Sequence, residues 1–227
     1  MNAATQTTNE LTLVLASQSP RRVALLGLGE RPFAMRPMDI DESVREGETA
    51  KDYVLRLAEE KARAAAEGQE GDRLILAADT TVVFEGEILA KPGDAAEARA
   101  MLERLGGTSH VVYTGIALLR TSDGALRVDL AETEVPMRAY SVEEIEAYIA
   151  TGDPFDKAGA YAIQHEGFHP VEDLAGCYAN VVGLPLCHVA RNLAKWEGDF
   201  RVDIPSACQA HLGYDCPVFN EVLNWEQ

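Results

Sequence analysis

The chain has 227 residues, of which 47% are hydrophobic and 25% charged, and it carries a formal net charge of −17 with a pI near 4.6. This composition is typical of a globular protein with one large domain or two small ones, and no apolar run is long enough to cross a bilayer. The acidic charge argues against a nucleic-acid-binding protein, because such binding needs clustered cations that displace counterions from phosphates. A small polyanionic ligand is still compatible, provided that a few cations converge on it.

The two ends of the chain differ in character from its middle. Residues 1–10 are polar, without the basic end and apolar core of a signal peptide, and are expected to form a disordered leader. Residues 197–227 are interpreted as a C-terminal extension. Without a secretory signal, a cytoplasmic location with reduced thiols is expected. Cys208, His211 and Cys216 offer three neighbouring ligands where a structural zinc site takes four, so reduced thiols are favoured over zinc.

The first predicted elements are a buried strand over 11–16, a polar turn and a helix over 23–28. Pro20 suits the first helical position, where an N–H has no partner, and Ser19 can cap the free N–H groups beside it. These N–H groups and the guanidinium groups of Arg21 and Arg22 would together bind an anion, best a phosphate. A capped helix with two solvated arginines explains the same residues, so this segment alone leaves both interpretations open.

Strands and helices alternate along the rest of the chain, with more hairpins in the middle. Apolar positions recur with the period of a strand or of a helix. The patterns predict strands over 34–36, 74–78, 82–84, 87–90, 110–120 and 126–138, a short strand after Gln164, and helices over 52–66, 95–105, 141–150 and 184–193. The predicted fold is a mixed α/β sheet with flanking helices, bent into two lobes around a cleft.

Two acidic positions are candidates for catalysis or metal binding. Asp79 follows the apolar run 74–78, where the strand is predicted to end, and ligands of α/β sheets bind at the carboxyl ends of strands. A carboxylate there can hold Mg²⁺ or accept a proton from water, although an Asp that caps the next turn is the commoner explanation. Glu42, in the acidic turn 39–42, is a second candidate that also fits a solvated turn.

Other candidate residues are weaker when each is taken alone. The acidic neighbours of Lys61 make a surface salt-bridge pattern, which favours a solvated lysine. Lys91 precedes Pro92, so its backbone is expected to be extended. Gln164 can offer a donor and an acceptor to a base edge, whereas Asn180 is expected to cap a helix. The sequence contains no P-loop, no Gly-rich dinucleotide fingerprint and no nucleophile elbow.

Several of these segments, taken in order, resemble the Maf proteins, a family of nucleoside triphosphate pyrophosphatases related in fold to inosine triphosphatases. Residues 15–22 (Leu-Ala-Ser-Gln-Ser-Pro-Arg-Arg) are similar to the opening motif of that family. Later blocks follow in the family's order: Asp79-Thr80, Lys91-Pro92, Thr114-Gly115, residues 156–161 and residues 180–185. The resemblance covers about residues 11–195 and implies one Maf-like domain over 11–196.

The resemblance implies hydrolysis of a nucleoside triphosphate between its α and β phosphates, with a divalent cation, Mg²⁺ or Mn²⁺, as cofactor. It implies Asp79 as the proton acceptor, with Asp79 and Glu42 at the metal. Residues matching the family's base-selecting positions are Arg21, Thr80 and Gln164. Residues matching its phosphate and metal site are Ser17, Arg22, Glu42, Lys61 and Lys91. A homodimer is implied by the family alone.

The motif set resembles the branch of the family that acts on dTTP and UTP and would remove excess or modified pyrimidine nucleotides. The branch that acts on 7-methyl-GTP, which is one alternative, departs at those positions. Gln18 stands where a small residue is common, and Ala162 where glycine is common. A second alternative, from the family's link to septum formation, is a nucleotide-binding regulatory protein of cell division without turnover. The complete set of carboxylates and cations favours an enzyme.

Overall fold

The structure is a computed structural model that describes residues 11–196 and 198–225. The predicted leader, residues 1–10, lies outside the described residues. The strands are β1 (Thr12–Leu15), β2 (Phe33–Met35), β3 (Arg73–Phe84), β4 (Glu87–Leu89), β5 (Ser109–Arg120) and β6 (Leu126–Pro136). The helices are α1 (Pro20–Gly27), α2 (Ala50–Ala66), α3 (Ala95–Leu105), α4 (Val142–Ala150), α5 (Tyr178–Val182), α6 (Leu186–Leu193), α7 (Ile204–Leu212) and α8 (Phe219–Asn224). Across these ranges, no helix combines the length and the apolar character that crossing a bilayer requires.

The strands form one sheet in the order β2-β1-β3-β5-β6, with β4 paired to β3. Strands β2, β1 and β3 are parallel, whereas β4, β5 and β6 extend the sheet by antiparallel pairing. The predicted mixed α/β fold is therefore confirmed. Most helix and strand bounds lie within two or three residues of the predicted ones, as is usual for patterns read from sequence.

The prediction that a strand ends just before Asp79 is wrong. Strand β3 has 12 residues and runs past Asp79 to Phe84. The ladder with β5 runs without a break from Leu74, opposite Arg120, to Val83, opposite Val111, so backbone partners persist after the apolar run stops. The strand that does end near this level is β1, whose last paired residue, Leu15, lies opposite Leu76. Beyond that point β3 has lost its parallel neighbour, and one side of the sheet opens there.

Three apolar clusters pack along the long strands, two in the first lobe and one in the second. In the first lobe, even-numbered residues of β3 such as Leu76 pack against α1, α6 and α7, while odd-numbered residues such as Ile75 pack against α2. In the second lobe, Val82 packs with apolar side chains of α3 and α4. The even-numbered and odd-numbered side chains of β3 lie on opposite faces of the sheet, because side chains alternate along a strand. The cleft lies between the lobes, where Asp79 and Thr80 fall.

The segment after α4 differs from its prediction. The short strand expected after Gln164 is reduced to a single bridge between Met137 and Val171. Two 3₁₀ turns, Asp153–Asp156 and Ala158–Ala160, and the short helix α5 occupy the region instead. Here a side chain supplies a hydrogen-bond partner that a strand would otherwise take from its neighbour. The Ala162 N–H donates to the hydroxyl of Tyr148 over 2.9 Å.

A buried ionic cluster joins β6, α6 and the C-terminal extension. The Asp129 carboxylate accepts hydrogen bonds from His188, Arg191 and Asn192. Arg191 also donates to the Val222 carbonyl of α8 over 2.9 Å. Burial opposes ionisation of Asp129, but the hydrogen bonds from His188 and Arg191 outweigh it and lower its pKa to about 2. The cluster is therefore expected to stabilise the fold as long as Asp129 is ionised.

We expect Asp129→Asn to lower the free energy of unfolding by about 2 kcal/mol near neutral pH, because the folded protein favours the ionised carboxyl. That stabilisation is complete above the ordinary carboxyl pKa of 3.8 and is lost as the pH falls toward about 2. Denaturant unfolding of both proteins between about pH 7 and pH 3 measures it, and the gap in stability should narrow toward acid. The exposed Asp215→Asn serves as control, and a gap that is constant with pH would contradict the prediction.

Candidate active site

An open cleft of about 920 Å³ lies between the two lobes. Its volume is in the range of small-molecule sites. All nine residues that the sequence nominated line this cleft, although they come from segments distributed over nearly 150 positions of the chain: Ser17, Arg21, Arg22, Glu42, Lys61, Asp79, Thr80, Lys91 and Gln164. Gln18 lines it as well, with an exposed side chain. The structure thus brings the nominated residues together, and their individual roles stay predictions.

The turn between β1 and α1 forms one wall of the cleft, as the local sequence predicts. Ser19 is the N-cap of α1 and accepts a hydrogen bond from the Arg22 N–H, and Pro20 opens the helix. The Ser17 hydroxyl accepts from the Ser19 N–H over 3.2 Å and is buried. These bonds fix the turn, so that the side chains of Arg21 and Arg22 project from a defined helix start.

Arg22 is held in place from two sides. Its Nε donates to the Gly183 carbonyl over 2.8 Å, and its Nη2 donates to the Thr80 hydroxyl over 3.0 Å. Burial lowers the pKa of this guanidinium, and the charge of Asp79 partly compensates. An arginine whose position is fixed and whose hydration is reduced can bind phosphate with little further loss of side-chain freedom.

The side chains of Asp79 and Thr80 lie on opposite faces of β3, because successive side chains along a strand alternate between the two faces of the sheet. Thr80 faces α1 and meets Arg22, whereas Asp79 faces α2 and meets Lys61. The Lys61 ammonium lies 2.6 Å from Asp79 Oδ1 and 2.6 Å from Glu42 Oε1. One cation therefore joins the two carboxylates that were nominated for the metal and the proton.

The local prediction that Lys61 is a solvated surface lysine is wrong. Only 8% of the residue is exposed, and the same holds for Asp79 at 7%. The acidic neighbours of Lys61 in α2 bind other cations: Glu59 pairs with Arg63, and Glu60 pairs with Arg56. The partners of Lys61 lie on β3 and in the loop before α2. The spacing of residues within α2 therefore does not predict them.

The electrostatics of the two carboxylates differ. Burial is the main influence on Asp79 and raises its pKa, although Lys61 and Arg22 oppose the rise. Burial also opposes ionisation of Glu42, but the hydrogen bond and the charge of Lys61, with Lys91 and Arg22 further away, lower its pKa overall. These surroundings make Asp79 a stronger base than an ordinary aspartate and Glu42 a weaker base than an ordinary glutamate. A raised pKa suits a group that takes a proton from water.

The loop that carries Glu42 is anchored to α2. The Tyr53 hydroxyl donates to the Glu42 carbonyl over 2.9 Å, and Arg56 donates to the Ser43 carbonyl over 3.1 Å. The Glu42 side chain itself is half exposed, with its carboxylate at the cleft. The backbone is fixed while the carboxylate stays accessible, which suits a group that must meet an incoming ligand.

The opposite wall comes from the second lobe and contains a lysine that the sequence analysis did not nominate. Lys157 is buried, and its ammonium donates to Asp153 and to Asp156. Asp156 also pairs with Arg21 across the cleft at 3.2 Å. The charged pair in residues 156–157 was the available signal, but its contacts depend on the 3₁₀ turns, which were not predicted. Gln164 and Lys91 are exposed at the same cleft.

A chain of polar groups leads from the cleft into the sheet, and it corrects the prediction for Asn180. The Thr80 and Thr114 hydroxyls lie 2.8 Å apart, and Thr114 Oγ1 lies 3.3 Å from the Asn180 carbonyl. Asn180 does not cap a helix. It lies within α5, fully buried, and its Nδ2 donates to Val112 and Thr133 of the sheet. These bonds tie α5, and with it the partner of Arg22, to β5 and β6.

Gly115 allows α2 to lie close to the sheet. It lies directly opposite Asp79 in the ladder between β3 and β5. A Cβ at this position would come within 2.3 Å of the Val54 carbonyl oxygen and 2.5 Å of its carbon. Because α2 carries both Val54 and Lys61, any added atom would push the helix, and the lysine with it, away from Asp79.

We therefore expect Gly115→Ala to lower the free energy of unfolding by about 1–3 kcal/mol, as overpacking does, and to lower kcat as well. The control is Gly27→Ala, at the end of α1, where no atom lies within 4 Å of the added Cβ. Thermal unfolding and turnover of both variants measure the effect. Equal stability and activity of Gly115→Ala and the unaltered protein would mean that the close approach of α2 is not required.

The donor set at the cleft fits a hard divalent cation. Mg²⁺ and Mn²⁺ prefer carboxylate oxygens, and sites of this kind use one or two carboxylates together with substrate phosphates. Glu42 and Asp79 supply such a pair. Among residues 11–196 and 198–225, no three His, Cys, Asp or Glu side chains converge as a metal site. The oxygens of a bound phosphate would therefore have to complete the coordination.

Together these features define a class: an α/β protein with an open cleft in which arginine and lysine side chains lie beside two carboxylates. The model of the Maf-like protein family matches residues 12–196, and the chain belongs to this family. A dTTP/UTP pyrophosphatase of Citrifermentans bemidjiense is 52% identical over 179 residues, which are 78% of this chain and 92% of that protein. A dTTP/UTP pyrophosphatase of Anaeromyxobacter dehalogenans is 50% identical over 186 residues, 81% of this chain and 93% of that protein.

Two solved structures of Ham1 proteins are less similar to this chain than these relatives are. The Ham1 protein of Staphylococcus aureus has 14% identity and a TM-score of 0.43, covering 89% of this chain and 98% of its own. A HAM1 protein of Coxiella burnetii has 24% identity and a TM-score of 0.41, covering 56% of this chain and 73% of its own. The family assignment rests on the sequence matches.

Proposed function

We propose that this protein is a nucleoside triphosphate pyrophosphatase that hydrolyses dTTP and UTP to the monophosphate and pyrophosphate. The observation that carries the proposal is the placement of Lys61, 2.6 Å from both Asp79 and Glu42, in a cleft with Arg22 on its other side. The naming of relatives about 50% identical as dTTP/UTP pyrophosphatases supports the same substrates. No observation favours a regulatory protein without turnover or the 7-methyl-GTP branch.

Asp79 would act as the proton acceptor. Water attacks a phosphorus atom of the α–β anhydride, the proton of the water passes to Asp79 Oδ, and the bridging P–O bond breaks to release pyrophosphate. Burial raises the pKa of Asp79 and makes it a better base, while the charge and the hydrogen bond of Lys61 oppose that rise. A divalent cation held by Glu42 and Asp79 would neutralise phosphate charge and make the bound water more acidic.

The cations would hold the triphosphate. Arg22 is fixed by Gly183 and Thr80, so its remaining guanidinium N–H groups can bind phosphate oxygens without losing much entropy. The exposed Lys91 would neutralise further phosphate charge, and the turn at Ser17 would bind further oxygens. These groups also explain how an acidic protein could bind a polyanion: its cations converge locally, although its net charge is −17.

The base would be selected by Arg21, Thr80 and Gln164, which all line the cleft. Arg21 is oriented by Asp156, and the Thr80 hydroxyl is already engaged by Arg22 and Thr114. Gln164 is exposed and offers both a donor and an acceptor, as the Watson–Crick edge of uracil or thymine requires. A homodimer and a cytoplasmic location stay predictions.

The test is a panel of nucleoside triphosphates incubated with the purified protein and Mg²⁺ or Mn²⁺, with release of monophosphate and pyrophosphate followed. We expect dTTP and UTP to be hydrolysed with kcat/KM at least about tenfold above that for ATP, GTP and 7-methyl-GTP, and no turnover with a chelator present. Release of inorganic phosphate in place of pyrophosphate would refute the proposed bond cleavage. Tight binding of nucleotides without turnover would select the regulatory alternative.

A further inference from the structure

The four cysteines come together at the place where the C-terminal extension packs on the family domain. Cys177 precedes α5, Cys187 lies in α6, Cys208 lies in α7 and Cys216 lies in the loop before α8. All four are within the described residues, carry free thiols and line one narrow cavity. That cavity is separate from the cleft, and the mechanism proposed above uses none of its residues.

Two of these cysteines contact each other. The Cys177 thiol donates a hydrogen bond to the Cys216 sulfur, and both residues are partly accessible to solvent. The backbone N–H groups of Val218 and Phe219 also contribute to lowering the pKa of Cys216. Nearby N–H and S–H groups favour the thiolate form of a cysteine.

The backbone on both sides of the pair is fixed. The Cys216 N–H donates to the Gln209 side chain over 2.9 Å, which ties the loop to α7. The Tyr214 hydroxyl lies 2.9 Å from the Leu174 carbonyl and 2.9 Å from the Gly176 carbonyl, next to Cys177. The extension is thereby held against the segment that leads into α5, which keeps Cys216 and Cys177 at the same cavity.

The four thiols differ in acidity. The hydrogen bond from Cys177 lowers the pKa of Cys216 to about 6, although burial opposes this change. Burial raises the pKa of Cys187 to about 12 and that of Cys208 to about 11, so these stay protonated. One of the four cysteines is thus set apart as a nucleophile, although all four are neighbours.

We propose that Cys216 and Cys177 form an oxidation site for hydroperoxides, in which Cys216 is oxidised and Cys177 then closes a disulfide between the extension and the family domain. The Cys216 thiolate attacks a peroxide oxygen, the O–O bond breaks, and water or an alcohol leaves after taking a proton. Cys216 is then a sulfenic acid. The Cys177 thiol loses its proton, its sulfur attacks the Cys216 sulfur, and hydroxide leaves as the S–O bond breaks, so that the peroxide has been reduced by two electrons.

The attack of Cys177 on the oxidised Cys216 is helped by the loss of negative charge when Cys216 is oxidised. The pKa of Cys177 is raised chiefly by its hydrogen bond to the Cys216 thiolate, and secondly by burial. Once Cys216 is a neutral sulfenic acid, that main cause is gone and Cys177 ionises more readily. The disulfide would fix the start of α5, the helix that leads to the Gly183 carbonyl bound by Arg22. Oxidation would therefore join the extension to an element of the cleft.

The experiment exposes the reduced full-length protein to hydrogen peroxide, blocks the remaining thiols with N-ethylmaleimide and identifies linked peptides by mass spectrometry without reduction. We expect a Cys177–Cys216 peptide, with Cys187 and Cys208 alkylated. We also expect the melting temperature to rise by roughly 5–10 °C on oxidation and to return on reduction. A Cys187–Cys208 disulfide, or oxidation of Cys216 no faster than of Cys208, would overturn the proposal.

Variants separate the two steps. Cys177→Ser should stop at the sulfenic acid, which dimedone then labels at Cys216, and Cys216→Ser should form neither product. Cys208→Ser is the matched control, since it lines the same cavity and should still give the disulfide. Disulfide formation in Cys208→Ser and its loss in both other variants would support the site. Equal peroxide reactivity of Cys216→Ser and the unaltered protein would refute it.

Discussion

Asp79→Asn is expected to lower kcat for dTTP by about 10²–10⁴-fold, because the amide keeps the shape of the side chain but cannot accept the proton of the attacking water. Binding should change less, since Arg22, Lys61 and Lys91 are still present to hold phosphate. Turnover at saturating dTTP measures the effect, and KM separates it from a loss of binding. Turnover within about tenfold of the unaltered enzyme would remove Asp79 from the role of base.

The variant should fold, which makes the result informative. Lys61 loses Asp79 but keeps Glu42, whose oxygen lies 2.6 Å from the ammonium, so no buried cation is left alone. Asp72→Asn is the matched control on the segment that leads into the same strand. Asp72 pairs with Arg120 at 2.6 Å outside the cleft, and its loss should leave kcat unchanged. Thermal unfolding of both variants checks that neither has lost its structure.

Local patterns predicted the regular elements well and their extent less well. Alternation and helical periodicity located the strands and every described helix except α5, α7 and α8. At the predicted start of α4, Ser141 and Glu144 form a capping box in the structure. The end of the apolar run at Ala78 was mistaken for the end of a strand, because apolarity reports burial and not backbone pairing. Strand β3 continues past Asp79 because β5 supplies partners that lie 28 to 34 residues further along the chain. A single sequence does not show that register.

At the candidate site, too, the sequence predicted the residues involved better than their long-range contacts. Motifs in family order nominated nine residues, and the fold places all of them around one cleft. Lys61 was assigned to the surface on local grounds, because helix spacing shows only neighbours in α2, whereas its partners lie on β3 and in the loop at Glu42. Lys157 and Asn180 were missed as structural partners for a similar reason. Their contacts depend on turns and on α5, which carry no strong periodic signal.

Lys61→Met tests the link between the two carboxylates. The substitution removes the ammonium but keeps a side chain of similar length, so Asp79 and Glu42 face each other without a cation. We expect kcat to fall by about 10²-fold, the usual cost of losing one fixed charge-stabilising group from an active site. Lys51→Met is the matched control on the same helix, since Lys51 is exposed and pairs with Glu132 at the surface. Its activity should not change.

The pH profile distinguishes this role from a purely structural one. Asp79 must be ionised to accept a proton from water. The value of kcat should therefore rise with pH as the Asp79 carboxyl loses its proton. Burial raises the pKa of Asp79, and Lys61 and Arg22 oppose that rise. Without Lys61 the pKa of Asp79 should rise further, since burial and the negative charge of Glu42 then act with less opposition. The acid limb of the kcat profile should therefore move to higher pH in Lys61→Met and stay in place in Lys51→Met. A variant that is slower at every pH, with an unshifted acid limb, would show that Lys61 does not act through Asp79.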